Sequence, residues 1–262
     1  MKKLLILGVF GALLFPSCKK ETTNPASSTT TTTTSVNTDP DVITFNPNIS
    51  YGSVIDVDGN VYKTVKIAGK EWMAENLKVK RYNNGVPIQM FLWNGTQQSN
   101  IDWMESGVDN WKYYSADSLL ASKYFKTYGI QYNWKVVSNV NNVCPTGWHI
   151  PSSTEFLDLI NSQGGMYKAG NKLIETTSAH WKNHPDATNE SGFTALPSGS
   201  FVYGYNWNDA VTFWSSTPND YYDTDSVFRN TQAKVLSLLD VSKVEVMNYN
   251  KINGTVIRCV KD

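Results

Sequence analysis

Three cysteines, at positions 18, 144 and 259 of 262 residues, constrain this chain more than any other feature. If the first is taken by processing near the N-terminus, Cys144 and Cys259 remain as a pair closing a loop of more than a hundred residues. An exported chain normally oxidises such a pair. The chain-entropy model puts a cross-link of that span at about 4 to 5 kcal/mol. Two buried free thiols are the alternative.

The first eighteen residues decide whether Cys18 drops out of the count. Lys2 and Lys3 form a basic start, residues 4–15 an apolar run, and Phe15-Pro16-Ser17-Cys18 closes it. The run is too short to span a bilayer as a helix and reads as a cleaved signal peptide, residues 1–17. A cysteine directly after a small residue at that point resembles a bacterial lipobox, with Cys18 the acylated first residue of the mature chain. Pro16 departs from the usual pattern, and an ordinary secretory signal is the alternative. Residues 18–48 then form a Thr- and Ser-rich tether, with six threonines at 29–34 and little apolar surface to offset ordering entropy.

All nine tryptophans and all fourteen tyrosines lie beyond residue 48, so residues 49–262 are expected to fold as a single globular domain. The formal net charge is zero, which excludes a basic field recruiting nucleic acid. No solenoid or propeller period is present. Residues 51–77 read as short strands with a tight hairpin at Asp58-Gly59-Asn60. Asp56, Asp58 and Asn60 imitate the start of a calcium loop, but its glycine comes too early and its twelfth-position glutamate is missing. Residues 82–113 read as loops carrying Trp93, Trp103 and Trp111. A short helix is expected over 118–126 and a strand over 128–134. Ser152 and Glu155 make a capping box that opens a helix ended by Gly164-Gly165. A second helix is expected over 168–176, with strands over 189–201, 210–217 and 254–260. The staple would therefore pin the last strand to the entry of the main helix. Helices followed by strands, with few βαβ alternations, argue for an α+β fold.

Five fragments in order, DGNVYKTVKIAGKEWMAENLK, CPTGWHIPSSTEF, NESGFTALPSGSF, FWSST and VIRCVKD, resemble the Fibrobacter succinogenes major paralogous domain of exported proteins and lipoproteins. The likeness spans nearly all of residues 50–262. The family brings no established activity with it. Its WHIPSxxEF and FWSST elements are similar to those of formylglycine-generating enzymes and C-type lectins. That implies a C-type-lectin-like fold with short twisted antiparallel strands, two main helices and long loops. Formylglycine-generating chemistry needs reactive cysteines, and the proposed staple uses both.

The lectin likeness implies a candidate ligand set. Trp207-Asn208-Asp209 resembles the lectin Trp-Asn-Asp triplet, and His184-Pro185-Asp186 and Asn189-Glu190 precede it. Oxygen ligands at Asp186, Glu190, Asn208 and Asp209 would suit calcium, and a chelated calcium could take vicinal sugar hydroxyls. Asn189, Tyr205 and Trp207 complete the set. The plainer alternative is that these residues cap turns. Tyr203, Tyr205, Trp207, Tyr221 and Tyr222 could stack on sugar rings or pack the interior. His180 and His184 have the spacing of a helical zinc pair, but Trp181 replaces the general-base glutamate and Pro185 ends a helix. His149 is expected to be a packed or hydrogen-bonded neighbour of Trp148. The resulting expectation is an outer-membrane lipoprotein whose folded part is a non-enzymatic binding domain for surface glycan or protein. The alternatives are a structural component of the envelope and a polysaccharide hydrolase.

Overall fold

The computed structural model describes residues 39, 41–91, 109–112, 124–182, 184–199, 209–219, 231–239 and 241–262. The signal peptide, Cys18 and most of the tether lie outside them. In chain order the elements are β1 (Gly52–Ile55), β2 (Val61–Ile67), β3 (Lys70–Met73), β4 (Gln89–Met90), β5 (Asn110–Lys112), β6 (Gln131–Tyr132), α1 (Trp134–Val137), β7 (Trp148–His149), α2 (Ser153–Ser162), α3 (Gly170–Leu173), β8 (Val211–Pro218), β9 (Gln232–Leu238), β10 (Glu245–Asn250) and β11 (Val260–Lys261). They form a five-stranded sheet ordered β1-β2-β3-β11-β7 and two three-stranded sheets, β10-β9-β8 and β4-β5-β6. Short helices beside several sheets make this a mixed fold, α+β or mostly β.

The first hairpin follows from its turn residues. Asp56 Oδ1 accepts the N–H groups of Asp58 and Asn60, each at 2.9 Å, and Asp56 Oδ2 accepts the Tyr62 hydroxyl at 2.5 Å. The aspartates here organise a turn, and β1 pairs antiparallel with β2 from Ile55 opposite Val61. Ala68 and Gly69 join β2 to β3 with φ of 52° and 80°. Two residues with positive φ make the tight connection whose twist matches a hairpin. β11 lies between β3 and β7, with Val260 opposite both Trp72 and His149. The last strand is thus interior to the first sheet.

Helix α2 begins as its box predicts. Ser152 Oγ accepts the Glu155 N–H at 3.2 Å, and Glu155 Oε2 accepts the Ser152 N–H at 2.8 Å. Its buried face, Phe156, Leu159 and Ile160, joins a core with Trp72, Phe193 and Phe213. Trp72 stacks on Phe156 at 5.8 Å and meets Phe193 edge-on at 6.1 Å. A second cluster gathers Trp111, Tyr132, Trp134, Trp148 and Trp214 around both cysteines.

Several expectations change. The helix expected over 168–176 is reduced to the four residues of α3, which has no side-chain cap; Ile174 is already extended at ψ 151°. The fold therefore has one helix of more than two turns, α2, among the described residues. Of the helix expected over 118–126, residues 118–123 lie outside the described part, and residues 124–128 are helical. The described part of the strand expected over 189–201, residues 189–199, is no strand. It makes isolated bridges from Ala195 to Ile174 and from Gly199 to Val211, because the Phe193 and Thr194 carbonyls go to a side chain, Arg258. Of the last strand expected over 254–260 only Val260 is laddered, with Lys261 beyond it, although Thr255 and Val256 bridge to Tyr132 and Phe213. Packing also begins before residue 49. Ile43 and Phe45 lie against the first core, and the Thr44 N–H donates to Glu175 Oε1 at 2.6 Å.

Candidate functional site

The residues named from sequence divide three ways. Tyr205, Trp207 and Asn208, with Tyr203, Tyr221 and Tyr222, lie outside the described residues. Asn189 is fully buried and structural. Its Oδ1 accepts the Thr194 N–H at 2.9 Å, its Nδ2 donates to Thr194 Oγ1 at 2.9 Å, and its carbonyl accepts from Asn46 Nδ2 at 3.0 Å. With its amide engaged at both ends it holds the NESGF turn closed. Asp186 and Glu190 are exposed, and Glu190 pairs with Lys172 at 3.2 Å. Asp209 is half-buried. Among the described residues no three His, Cys, Asp or Glu side chains gather as a metal-holding group, so Asp186, Glu190 and Asp209 do not by themselves form the calcium set expected above.

The histidine pair also separates. His180 is fully buried with Nδ1 2.5 Å from Glu175 Oε2, which also accepts the Thr177 hydroxyl at 2.8 Å. His184 stands edge-on to Trp181 at 5.3 Å, and the Trp181 indole N–H donates to the Ala195 carbonyl at 2.8 Å. Residues 178–180 form a turn, so the helical geometry needed for a zinc pair is not present.

Two neighbouring residues lock the last strand. Cys144 and Cys259 are disulfide-bonded, Cα to Cα 5.9 Å apart and 115 residues apart in sequence. The bond ties β11 to the approach of β7 and α2. Beside it Arg258 is fully buried. Its Nε donates to Asn76 Oδ1 at 2.8 Å, Nη2 to the Thr194 carbonyl at 2.8 Å, and Nη1 to the Phe193 carbonyl. The guanidinium lies 4.4 Å from the centre of the Phe193 ring and 5.1 Å from that of Phe213. Burial pulls its pKa down to about 9 against the opposing pull of Glu75.

An open cleft of about 320 Å³ lies where the end of β2, the start of β3 and the end of β11 come together, lined by Lys66, Gly69, Lys70, Glu71, Lys261 and Asp262. Register explains its floor, since Lys66 pairs across from Glu71 on β3 and Lys261 Nζ reaches Glu71 Oε2 at 3.1 Å. At its end Lys70 holds Glu155 at 3.0 Å, and His149 bridges Asp262 at 2.6 Å and Glu155 at 3.1 Å. His149 is thus a hydrogen-bonded residue here, with Asp262 and Glu155 as its partners. Burial works against the Glu155 carboxylate, yet the Ser152 N–H and hydroxyl, Lys70 and His149 together hold it down at about 2. Glu71 is also lowered, chiefly by the Thr64 hydroxyl, against a burial penalty and with help from Lys261.

A polar patch missed from sequence lies on β5 and β6. Asn110, Lys112 and Gln131 are each 1 % exposed. The alternation of NWK and QYNW marks two polar positions around one aromatic, but only strand pairing reveals that the polar side is also buried. Burial pushes the Lys112 ammonium down to about 5.

No curated protein and no solved structure matches the chain. A family model does, over residues 65–261, a stretch that includes β3, the CPTGWHIPSSTEF box, the NESGF turn, Arg258 and both bonded cysteines. The chain belongs to the Fibrobacter succinogenes major domain family.

Proposed function

We propose that this protein is an outer-membrane lipoprotein anchored through Cys18, whose globular part is a non-enzymatic binding domain for surface glycan or protein. The fold we propose for that part is C-type-lectin-like. What supports the fold is the sharing of one sheet by the strands nearest the two ends of the domain, β1 to β3 and β11, held by a disulfide. What supports the anchor is the leader ending in Ser17-Cys18 and the Thr-rich segment after it.

The observation that carries the binding reading is how the described carboxylates are used. General acid-base catalysis at neutral pH wants a carboxyl group raised towards 6 or 7. Glu155 and Glu71 are lowered, each held by several donors, and Glu175 is closed off by Thr44, Thr177 and His180. Glu71 and Glu155 serve as fixed acceptors at an open polar cleft, which suits recognition better than proton transfer. The test uses the full-length protein in its native membrane. A clickable palmitate analogue should label the wild type and not Cys18→Ser, and detergent-extracted protein should be retained on a glycan array. Labelling of the variant would sink the anchor. A blank array with a stable co-purifying protein would favour an assembly component, and release of reducing ends from polysaccharide would favour a hydrolase.

A further inference from the structure

One face of the first sheet is covered along part of its length only. Side chains alternate across a pleat, so Tyr62 and Lys66 of β2 share a face, as do Met73 and Glu71 of β3. Tyr62 and Met73 enter the second core cluster, while Lys66 and Glu71 line the open cleft beside Lys261. No side chain of β1 covers this end at Gly52, which stands opposite Thr64. Thr64 Oγ1 donates to Glu71 Oε1 at 2.7 Å, and a Cβ at Gly52 would fall 2.6 Å from that hydroxyl. The cleft uses its charges unevenly. Lys261 holds Glu71 Oε2 at 3.1 Å, and Lys70 holds Glu155 at 3.0 Å. Asp262 Oδ1 lies 2.6 Å from His149 Nδ1, with its side chain 63 % exposed. The ammonium of Lys66, exposed and opposite Glu71 in the strand register, makes no ion pair among the described residues. The lining therefore carries three ammonium groups against two carboxylates, a surplus of one positive charge.

We propose that this cleft binds a carboxylate-bearing sugar unit of an acidic glycan, with Lys66 taking the ligand carboxylate, an inference that rests on the glycan half of the function proposed above. At about 320 Å³ the cleft is at the small end of ligand sites, which run from roughly 300 to 1,000 Å³. That volume suits one sugar ring, and an open cleft lets the chain continue past it. A sugar acid brings one negative charge and several hydroxyl donors, and the lining answers both. Lys66 supplies a cation not already committed to a carboxylate of the fold. Each Glu71 oxygen accepts one bond, from Thr64 and from Lys261, and keeps a second lone pair for a hydroxyl. The same two carboxylates select against other ligands. A phosphate monoester brings up to two charges to a surplus of one and meets like charge at Glu71 and Asp262. A neutral sugar leaves Lys66 without a partner.

The test compares full-length wild type, Lys66→Gln and Lys182→Gln in mild detergent. Lys182 is exposed and outside the cleft, so its variant controls for general charge. Binding is read on immobilised hexagalacturonate and hexamannuronate, on the methyl ester of each, and on cellohexaose and xylohexaose, with thermal unfolding measured in parallel. The wild type should bind at least one acidic hexamer, and its methyl ester about tenfold or more weakly, the loss of one charge-assisted hydrogen bond. Lys66→Gln should lose about as much on the acid at an unchanged unfolding midpoint, and Lys182→Gln should bind as the wild type does. Equal binding of acid and ester, binding of neutral hexamers alone, or undiminished binding by Lys66→Gln overturns this site and leaves the glycan reading standing. Equal losses in Lys66→Gln and Lys182→Gln overturn it too, as attraction by net charge. No binding by the wild type to any hexamer overturns the glycan reading itself. Should Lys66→Gln lower the midpoint, Lys66→Met replaces it, since it keeps an unbranched stem. A lowered midpoint in both means that Lys66 serves the fold, and the proposal fails.

Discussion

Opening the Cys144–Cys259 bond should remove a large part of the stability of the globular part. The cysteines stand 115 residues apart. Loop-closure entropy of −2.1 − 1.5R ln n, with n about 115, is about 16 cal/mol/K, or about 4.8 kcal/mol at 25 °C. Both cysteines are fully buried in the cluster that holds Trp134, Trp148 and Trp214. Replacing them with serine would add two hydroxyls to that apolar site at about 1 to 3 kcal/mol each, so alanine isolates the cross-link better. Two missing sulfur atoms leave a small cavity, raising the expected loss to roughly 5 to 6 kcal/mol. Domains are stable by about 5 to 15 kcal/mol, so the loss removes a third or more. At about 2 to 4 °C per kcal/mol for a domain of this size, the midpoint should fall by about 10 to 20 °C. The assay is urea and thermal unfolding followed by tryptophan fluorescence, on oxidised wild type, reduced wild type and Cys144→Ala/Cys259→Ala. A midpoint within 2 °C of the oxidised protein, in both the reduced and the double-alanine forms, would refute the reasoning and leave Arg258 and the strand ladder as what holds β11.

Three further outcomes are expected. Lys112 is held at about 5 in the fold against 10.5 when exposed; between those values the unfolded chain binds more protons, so stability falls on acidification by up to about 1.4 kcal/mol per pH unit. Urea midpoints of wild type and Lys112→Met should therefore diverge between pH 8 and pH 6, the variant being flatter, and parallel curves would contradict a buried neutral amine. Arg258→Lys cannot reach Asn76 and the two carbonyls together, so it should lose about 3 kcal/mol or more in denaturant unfolding; a loss below about 1 kcal/mol would mean that these acceptors find other donors. Ser152→Ala removes the cap of α2 and should lose about 1 kcal/mol, with Glu155→Gln smaller in the same direction.

What could be read in advance was local. Asp58-Gly59-Asn60 specifies its hairpin, Ser152 and Glu155 specify the start of α2, and a lone pair of cysteines specifies its own partners, each through contacts short in sequence or by elimination. The parts that escaped depend on distance along the chain. Arg258 looks like an ordinary strand residue, yet its site is built from Asn76, Phe193 and Thr194, all more than sixty residues away. Asn189 entered the candidate set through the lectin likeness, and its carboxamide is engaged by Thr194 across a turn that the likeness does not describe. Ile43 and Phe45 were hidden by polar neighbours, so the composition change put the domain start later than the packing does. Asn110, Lys112 and Gln131 alternate with aromatics as a solvent-facing strand would, and nothing local says that their side is covered.

The interior position of β11 bears on how the chain reaches its fold. β3 has no neighbour on one edge until residues 260 and 261 exist, since those residues separate it from β7. During synthesis, or threading through a pore from the N-terminus, the early hairpins must wait with an open strand edge and Trp72 uncovered. Pairings between segments nearly two hundred residues apart fold slowly, and an unpaired edge invites association in the meantime. The chain therefore depends on being kept apart from its copies until its last few residues arrive, and truncation there should yield aggregates more readily than a smaller folded domain.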